Sequence, residues 1–446
     1  MTSSTRAGHS GAVLRKQRSP RRRPATWRGA AAVLAVLALV GLAGCGASGD
    51  DGSSGGKVTL SYAVWDQPQV PATKRIIAEF HRSHPNINVQ VQVTPWDDYW
   101  TKLRTAATGG SAPDVFWMTL AYFQYYAKGG ALKPLDSEIQ SDNVDMSKFV
   151  PAIRDAYRFD GKTYGMPRDV NSFGLFYNKK LFKQAGVKFP DSSWTWADVT
   201  AAARKLTNQS DGVYGIVAPE VDELGWYLTI PQAGGDVLSP DGKRSGYDQP
   251  ASIKGIQFWV DLVNKYHASP SLQQMTDTDP LSMFTSGKAA MYYGGSWDPV
   301  AMSSVPYAKK NVDVAPLPHD VTRNFYSNGL ANAIYARTKH PKEAWEFTKF
   351  LGSKRAADIN ATTGTVIPAY KGEATNYVRS MPWLHLQRIV DQLPNAKPFP
   401  STIDTSVWRD NATKEFAKAW TGQETVPDAA AKVAKQMDAA LSDERK

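Results

Sequence analysis

"DDYWTKLRTAATGGSAPDVFWM", Asp97 to Met118, holds a helix, a stop and a strand. Asp97 or Asp98 caps the helix and Gly109 ends it. "PDVFWM" then reads as a short buried strand. Just upstream, "INVQVQV" (Ile87 to Val93) alternates apolar and polar residues, as a strand does. Before it come an alternating strand, "KVTLSYAV" (Lys57 to Val64), and a helix over 72–84 with Ile76, Ile77 and Phe80 on one face. Downstream, Tyr122 to Lys128 begins another helix. Alternation at this spacing predicts an α/β fold with a mostly parallel sheet covered on both faces.

The pattern repeats beyond Gly165. "SFGLFYN" (Ser172 to Asn178) reads as a strand, followed by a short helix over 180–185. A helix over 196–206 has an acceptable N-cap in Thr195. Further helices are expected over 252–266, 279–286 and 341–351, the last with proline at its first position. "AAMYYG", "VDVAP" and "GLANAIYA" read as strands, and the last 60 residues look helical. No short-period repeat is visible, and no long low-complexity linker follows Lys57. About 400 residues beyond the leader suggest two or three closely joined domains.

The N-terminus is of another kind. Residues 1–28 carry eight basic side chains and no acid, and an apolar run follows from Gly29 to Ala43. As a helix it would span roughly 22 Å, short of the ~30 Å hydrocarbon core. This describes a secretory signal rather than a membrane span. Leu42-Ala43-Gly44-Cys45 resembles the bacterial lipobox, which implies cleavage before Cys45 and lipidation of its thiol. The alternative is an ordinary signal peptide with a chance cysteine. Arg21-Arg22-Arg23 also hints at twin-arginine export. Residues 1–44 are therefore expected to be a signal peptide, and 45–56 a flexible Gly/Ser/Asp tether. With one cysteine in the chain, no disulfide forms within a monomer.

The leader also explains the charge. The whole chain is +10, and without those eight residues 44 Lys+Arg stand against 42 Asp+Glu. A nucleic-acid surface is not supported. Catalytic and metal signatures fail too. There is no H-E-x-x-H or Walker A, and G-x-G-x-x-G occurs only at Gly44 to Gly49, across the cleavage site. Seven scattered histidines argue against zinc. Asp277 and Asp279 form a D-x-D without the calcium-loop glycine, which reads as a solvated turn. No cofactor or metal is expected.

Several segments together resemble the family 1 extracellular solute-binding proteins of ATP-driven importers, the maltose-binding-like group. They are "DDYWTKLRTAATGGSAPDVFWM", "AKGGALKPLD", "YGMPRDVNSFGLFYNKKLFKQAGV", "TWADVTAAARKL", "FTSGKAAMYYGGSW" and "TKHPKEAWEFTKFLGS", in the family's order from Asp97 to Ser353. The resemblance implies a two-lobe, type II periplasmic-binding-protein-like fold with a ligand cleft between the lobes. It implies three hinge crossings, at "PRDVN", "SNGLA" and "TGTVI". Lobe one would be 57–168 plus 329–363, and lobe two 169–328 plus 364–446. It further implies a monomer that delivers a carbohydrate to a membrane permease while anchored to the outer face of the bacterial cytoplasmic membrane.

A sugar packs its C–H face on aromatic rings and offers hydroxyls to carboxylates and amides. Trp65 and Asp66 follow the first strand, at the end where open α/β sheets place ligands. Trp117 closes a strand with Tyr122 nearby, where the family pattern implies an aromatic platform. Thr119-Leu120 stand where maltose binders often carry an acid, which weighs against maltose. Asp169 and Asn171 lie on the first crossing, Tyr326 and Asn328 beside the second. Trp226 is a candidate with core packing as its equal rival. The family pattern implies a stacking Trp297 in "GGSWDP", with Asp298 beside it. A secreted glycosidase is the enzymatic rival, with Asp66 and Asp169 as its carboxylate pair. A peptide or polyamine binder is the other.

Overall fold

The computed structural model describes residues 57–445. The expected signal peptide (1–44), Cys45 and the tether lie outside the described residues.

Two sheets organise the chain. The larger has the order Ile87–Val93, Val58–Val64, Val115–Met118, Ala331–Ile334, Gly165–Pro167. Its first three strands are parallel, and the last two alternate in direction. The smaller sheet has Phe173–Asn178 between Met291–Gly295 and Val312–Ala315 and is antiparallel throughout. The expected mostly parallel sheet therefore holds only for the three strands nearest the start. The reason is the path of the chain. Gly165–Pro167 leads out towards the smaller sheet and Ala331–Ile334 leads back, so these neighbours must run oppositely.

Where the chain passes between the two lobes, three segments lie side by side. The Arg168 N–H donates to the Leu330 carbonyl at 2.8 Å, and the Asn171 N–H to the Asn328 carbonyl at 2.9 Å. The Val170 N–H reaches Ile367 at 3.0 Å, and the Ala369 N–H reaches Arg168 at 3.1 Å. A Cβ on Gly329 would stand 2.4 Å from the Asp169 carbonyl oxygen. Only glycine lets these passages approach so closely.

Local signals explain most element ends. Thr195 and Asp198 form a reciprocal capping box on Trp196–Leu206. Pro341 opens Pro341–Leu351 as expected. The helix Trp96–Gly109 differs from its reading in two details. Pro95 occupies its N-cap position, and Asp97 and Asp98 sit in the first turn without capping through their side chains. It stops on Gly110, whose φ of 79° is the left-handed geometry that ends helices. The helix Val70–Ser83 buries Ile76 and Phe80, with Ile77 partly covered. At the C-terminus, Thr405–Trp420 and Val426–Asp443 pack on each other and on Pro250–Asn264. Among the described residues no helix is long and apolar enough to cross a membrane.

Candidate functional site

A cavity of about 530 Å³ opens between the two sheets' lobes, over the joined passages. Its size falls within the ~300–1,000 Å³ of small-molecule sites.

The wall from the larger sheet is aromatic. Val58–Val64 ends directly at Trp65, whose ring meets Trp117 and Tyr99 edge-on at 5.0 Å and Trp96 at 5.2 Å. Behind them Trp100 stacks on Tyr122, with centroids 3.8 Å apart and planes 8° from parallel. Such pairs add about 0.5–1.5 kcal/mol each beyond area burial, so the plates are braced before any ligand arrives. Trp65 and Trp96 face the cavity. Beside them the Asp66 carboxylate accepts from Gln69 Nε2 at 2.6 Å, and burial pushes its pKa up.

The floor is a buried polar network. The Arg168 guanidinium lies 4.2 Å over the Trp117 ring, pairs with Asp169, and donates from Nη2 to Gln69 Oε1 at 2.5 Å. The other Asp169 oxygen accepts the Leu330 N–H at 2.8 Å. Burial raises the Asp169 carboxyl, against the pull of the Arg168 guanidinium and the Leu330 N–H. Asn328 donates to Thr119 Oγ1 at 2.5 Å and accepts the Gly329 N–H at 2.8 Å.

The wall from the smaller sheet is acidic. Met291–Gly295 runs into Trp297, which stands edge-on to Phe173 at 5.8 Å. A Cβ on Gly295 would sit 2.4 Å from the Trp297 indole, so this glycine makes room for the protein's own ring. Asp298 is buried and accepts the Gly295 N–H at 2.9 Å. Burial pushes its pKa up to about 7; the Gly295 bond opposes this, and Asp66 across the cleft adds to it. A π-turn at Asp222–Trp226, kinked at Gly225, presents Asp222 and Glu223. Arg409, from Thr405–Trp420, grips both Asp222 oxygens, with Nη2 to Oδ1 at 2.7 Å. Glu223 accepts from Asn171 Nδ2 at 3.0 Å. Burial pushes Glu223 up to about 7, against the pull of Arg409. Asp279 caps Pro280–Thr285, accepting the Ser282 N–H at 2.8 Å, and also faces the cavity.

Seven sequence candidates meet around this cavity: Trp65, Asp66, Asp169, Asn171, Trp297, Asp298 and Asn328. Four do not line it. Trp117 is fully buried beneath Trp65, its indole N–H donating to the Tyr62 hydroxyl at 2.6 Å. Tyr122 is held behind the rim by Trp100. Trp226 is buried against Phe416 and Trp420, as its rival core reading required. Tyr326 points its hydroxyl at Asp236, 2.8 Å away. In each case the large ring fills space between layers, where its apolar area counts most.

The lining residues that were missed include Gln69, Trp96, Asp222, Glu223, Asp279 and Arg409. Trp96 follows the strand Ile87–Val93 closely, so the strand-end rule that selected Trp65 would have found it. Asp279 was read as part of a solvated turn. Arg409 sits in an ordinary amphipathic helix and carries no local signal.

Two lobes joined by three passages, with a cleft over the junction, define a hinged protein that closes around a solute. Residues 24–358 match the model of the bacterial extracellular solute-binding proteins, and the chain belongs to that family. It is an extracellular, ABC-type binding protein and not an enzyme. It superposes with a TM-score of 0.82 on an ABC substrate-binding protein from Listeria monocytogenes in complex with cycloalternan; the two are 26% identical, over 86% of this chain and 99% of that one. A solute-binding protein from Thermotoga lettingae bound with α-D-tagatose shares the fold, with a TM-score of 0.79, 24% identity, and coverage of 86% of this chain and 100% of that one. The multiple sugar-binding protein of Streptococcus mutans is 27% identical over 316 residues, 67% of this chain and 72% of its own. The glycosidase reading falls with this, and Asp169 is already tied to Arg168.

Proposed function

We propose that the cleft captures a carbohydrate, an oligosaccharide rather than a single sugar, and delivers it intact to the permease of an ABC importer. The observation that supports this best is the set of three indoles at the cavity, Trp65 and Trp96 on one wall and Trp297 on the other. One sugar ring has two faces, so plates at three places suit more than one ring. Carboxylates and amides beside the plates, Asp66, Asn171 and Asn328 among them, suit hydroxyls in the ring plane. The sugar-associated relatives from Listeria and Streptococcus point the same way. On this reading the lobes are 57–168 plus 329–363 and 169–328 plus 364–446. Lipidated Cys45 holds the monomer at the outer face of the cytoplasmic membrane, and closure of the lobes gives the permease a distinct shape to recognise.

A thermal-shift screen across mono- and oligosaccharides tests the reading, because a ligand of the folded state raises the melting point. An oligosaccharide is expected to shift it and to be recovered uncleaved. A screen in which peptides shift the protein and no saccharide does would refute it.

A further inference from the structure

Six carboxylates face the cavity, from Asp66, Asp169, Asp222, Glu223, Asp279 and Asp298, against a single lining cation, Arg409. Two are neutralised: Asp169 by Arg168 and Asp222 by Arg409. Among the described residues the other four form no ion pair. Their partners are all neutral: Gln69 for Asp66, Asn171 for Glu223, the Ser282 N–H for Asp279 and the Gly295 N–H for Asp298. Asp66 and Asp298 come from opposite walls and act on each other across the opening.

Closing the lobes withdraws these groups from water. An unpaired carboxylate in a dry site is costly, and the cost is relieved by a proton or by a counter-charge. A neutral sugar supplies hydroxyls and no charge. An ammonium supplies charge-assisted bonds to both walls at once, and the faces of Trp65 and Trp297 attract a cation as well. Two unlike features thus coincide: indole plates that suit sugar rings, and carboxyl groups without a counter-ion that suit an amine.

We infer that the solute is an amine-bearing saccharide whose ammonium sits between Asp66 and Asp298. This rests on the carbohydrate reading above and adds the charge of the ligand to it.

Calorimetry on the purified full-length chain at pH 6.5 tests it. The probes are a fully deacetylated glucosamine trimer, its N-acetylated counterpart, maltotriose, cellotriose and spermidine. The glucosamine trimer is expected to bind at least about tenfold more tightly than any neutral trimer, since charge-assisted bonds are roughly twice as strong as neutral ones. Added salt should shrink that advantage. The isosteric variants Asp298→Asn and Asp66→Asn should collapse the ratio. Asp279→Asn, which keeps a helix-capping side chain, should lower it in part and serves if the others fail to fold. Neutral trimers binding as tightly as the amine, or a ratio unmoved by all three variants, would overturn the inference and leave the carbohydrate reading standing. Spermidine bound with every saccharide refused would overturn both.

Discussion

The two walls of the cleft divide the work of recognition. The larger sheet contributes an aromatic block in which Trp65 touches Trp96, Tyr99, Trp100 and Trp117, with Asp66 as its one cavity-facing acid. The smaller sheet's lobe contributes one indole, Trp297, and the acids Asp222, Glu223, Asp279 and Asp298. Aromatic plates need only neighbours to brace them, and a single sequence region supplies those neighbours. Acids in a half-closed cleft need cations or protons, and their partners arrive from distant segments. The first wall is stable in itself, and the second depends on what pairs with it.

Breaking the acidic wall at its one built-in cation should have the largest effect. Arg409→Met leaves Asp222 buried without its partner, beside Glu223, and should cost about 3–5 kcal/mol of folding stability. Urea unfolding measures it; an unchanged midpoint would show that the pair does not brace this wall.

The same wall should make stability depend on pH. Asp298 and Glu223 ionise from 3.8 and 4.5 ordinarily, and at about 7 here. Between those values the native state holds protons that the unfolded chain has lost. Stability of the ligand-free protein should therefore fall as pH rises from about 4.5 to 7. Melting curves at pH 5 and pH 8 check the sign, and Asp298→Asn should flatten the slope.

Plates should matter to affinity more than to folding. Trp297→Ala should weaken saccharide binding at least tenfold, about 1.4 kcal/mol. Unchanged affinity by calorimetry would remove Trp297 from the stacking role. Trp96 is 38% exposed at the rim and meets Trp65 edge-on, so Trp96→Ala should cost about 0.5–1.5 kcal/mol of stability while loosening the ligand at least about tenfold. A loss of stability larger than its loss of affinity would mean that Trp96 serves the aromatic block and not the ligand.

Much of the aromatic wall was legible along the chain. A strand that alternates and then ends on Trp-Asp marks a ligand-facing edge, and Trp65 and Asp66 lie there. The same logic overshot at Trp117, because a strand end can point a ring under the edge as well as over it. Here Tyr62 and Arg168, 55 and 51 positions away in sequence, hold that ring below. Asn178, the last residue of its strand, caps the helix Lys179–Gln184, accepting the Leu181 N–H at 3.2 Å. Short-range hydrogen bonds of this kind follow from neighbouring residues and need no tertiary knowledge.

By itself the sequence determined the α/β class, most helix and strand positions and the strand-end pair Trp65–Asp66. Periodicity, capping and chain-bending residues act within a few positions of each other, so they are written where they act. Only the tertiary structure decided which indoles face the cavity and which acids stand without a counter-ion. Asp66, Glu223, Asp279, Asp298 and Arg409 lie in five separate stretches, and whether charges pair depends on distance in space, which no local pattern encodes.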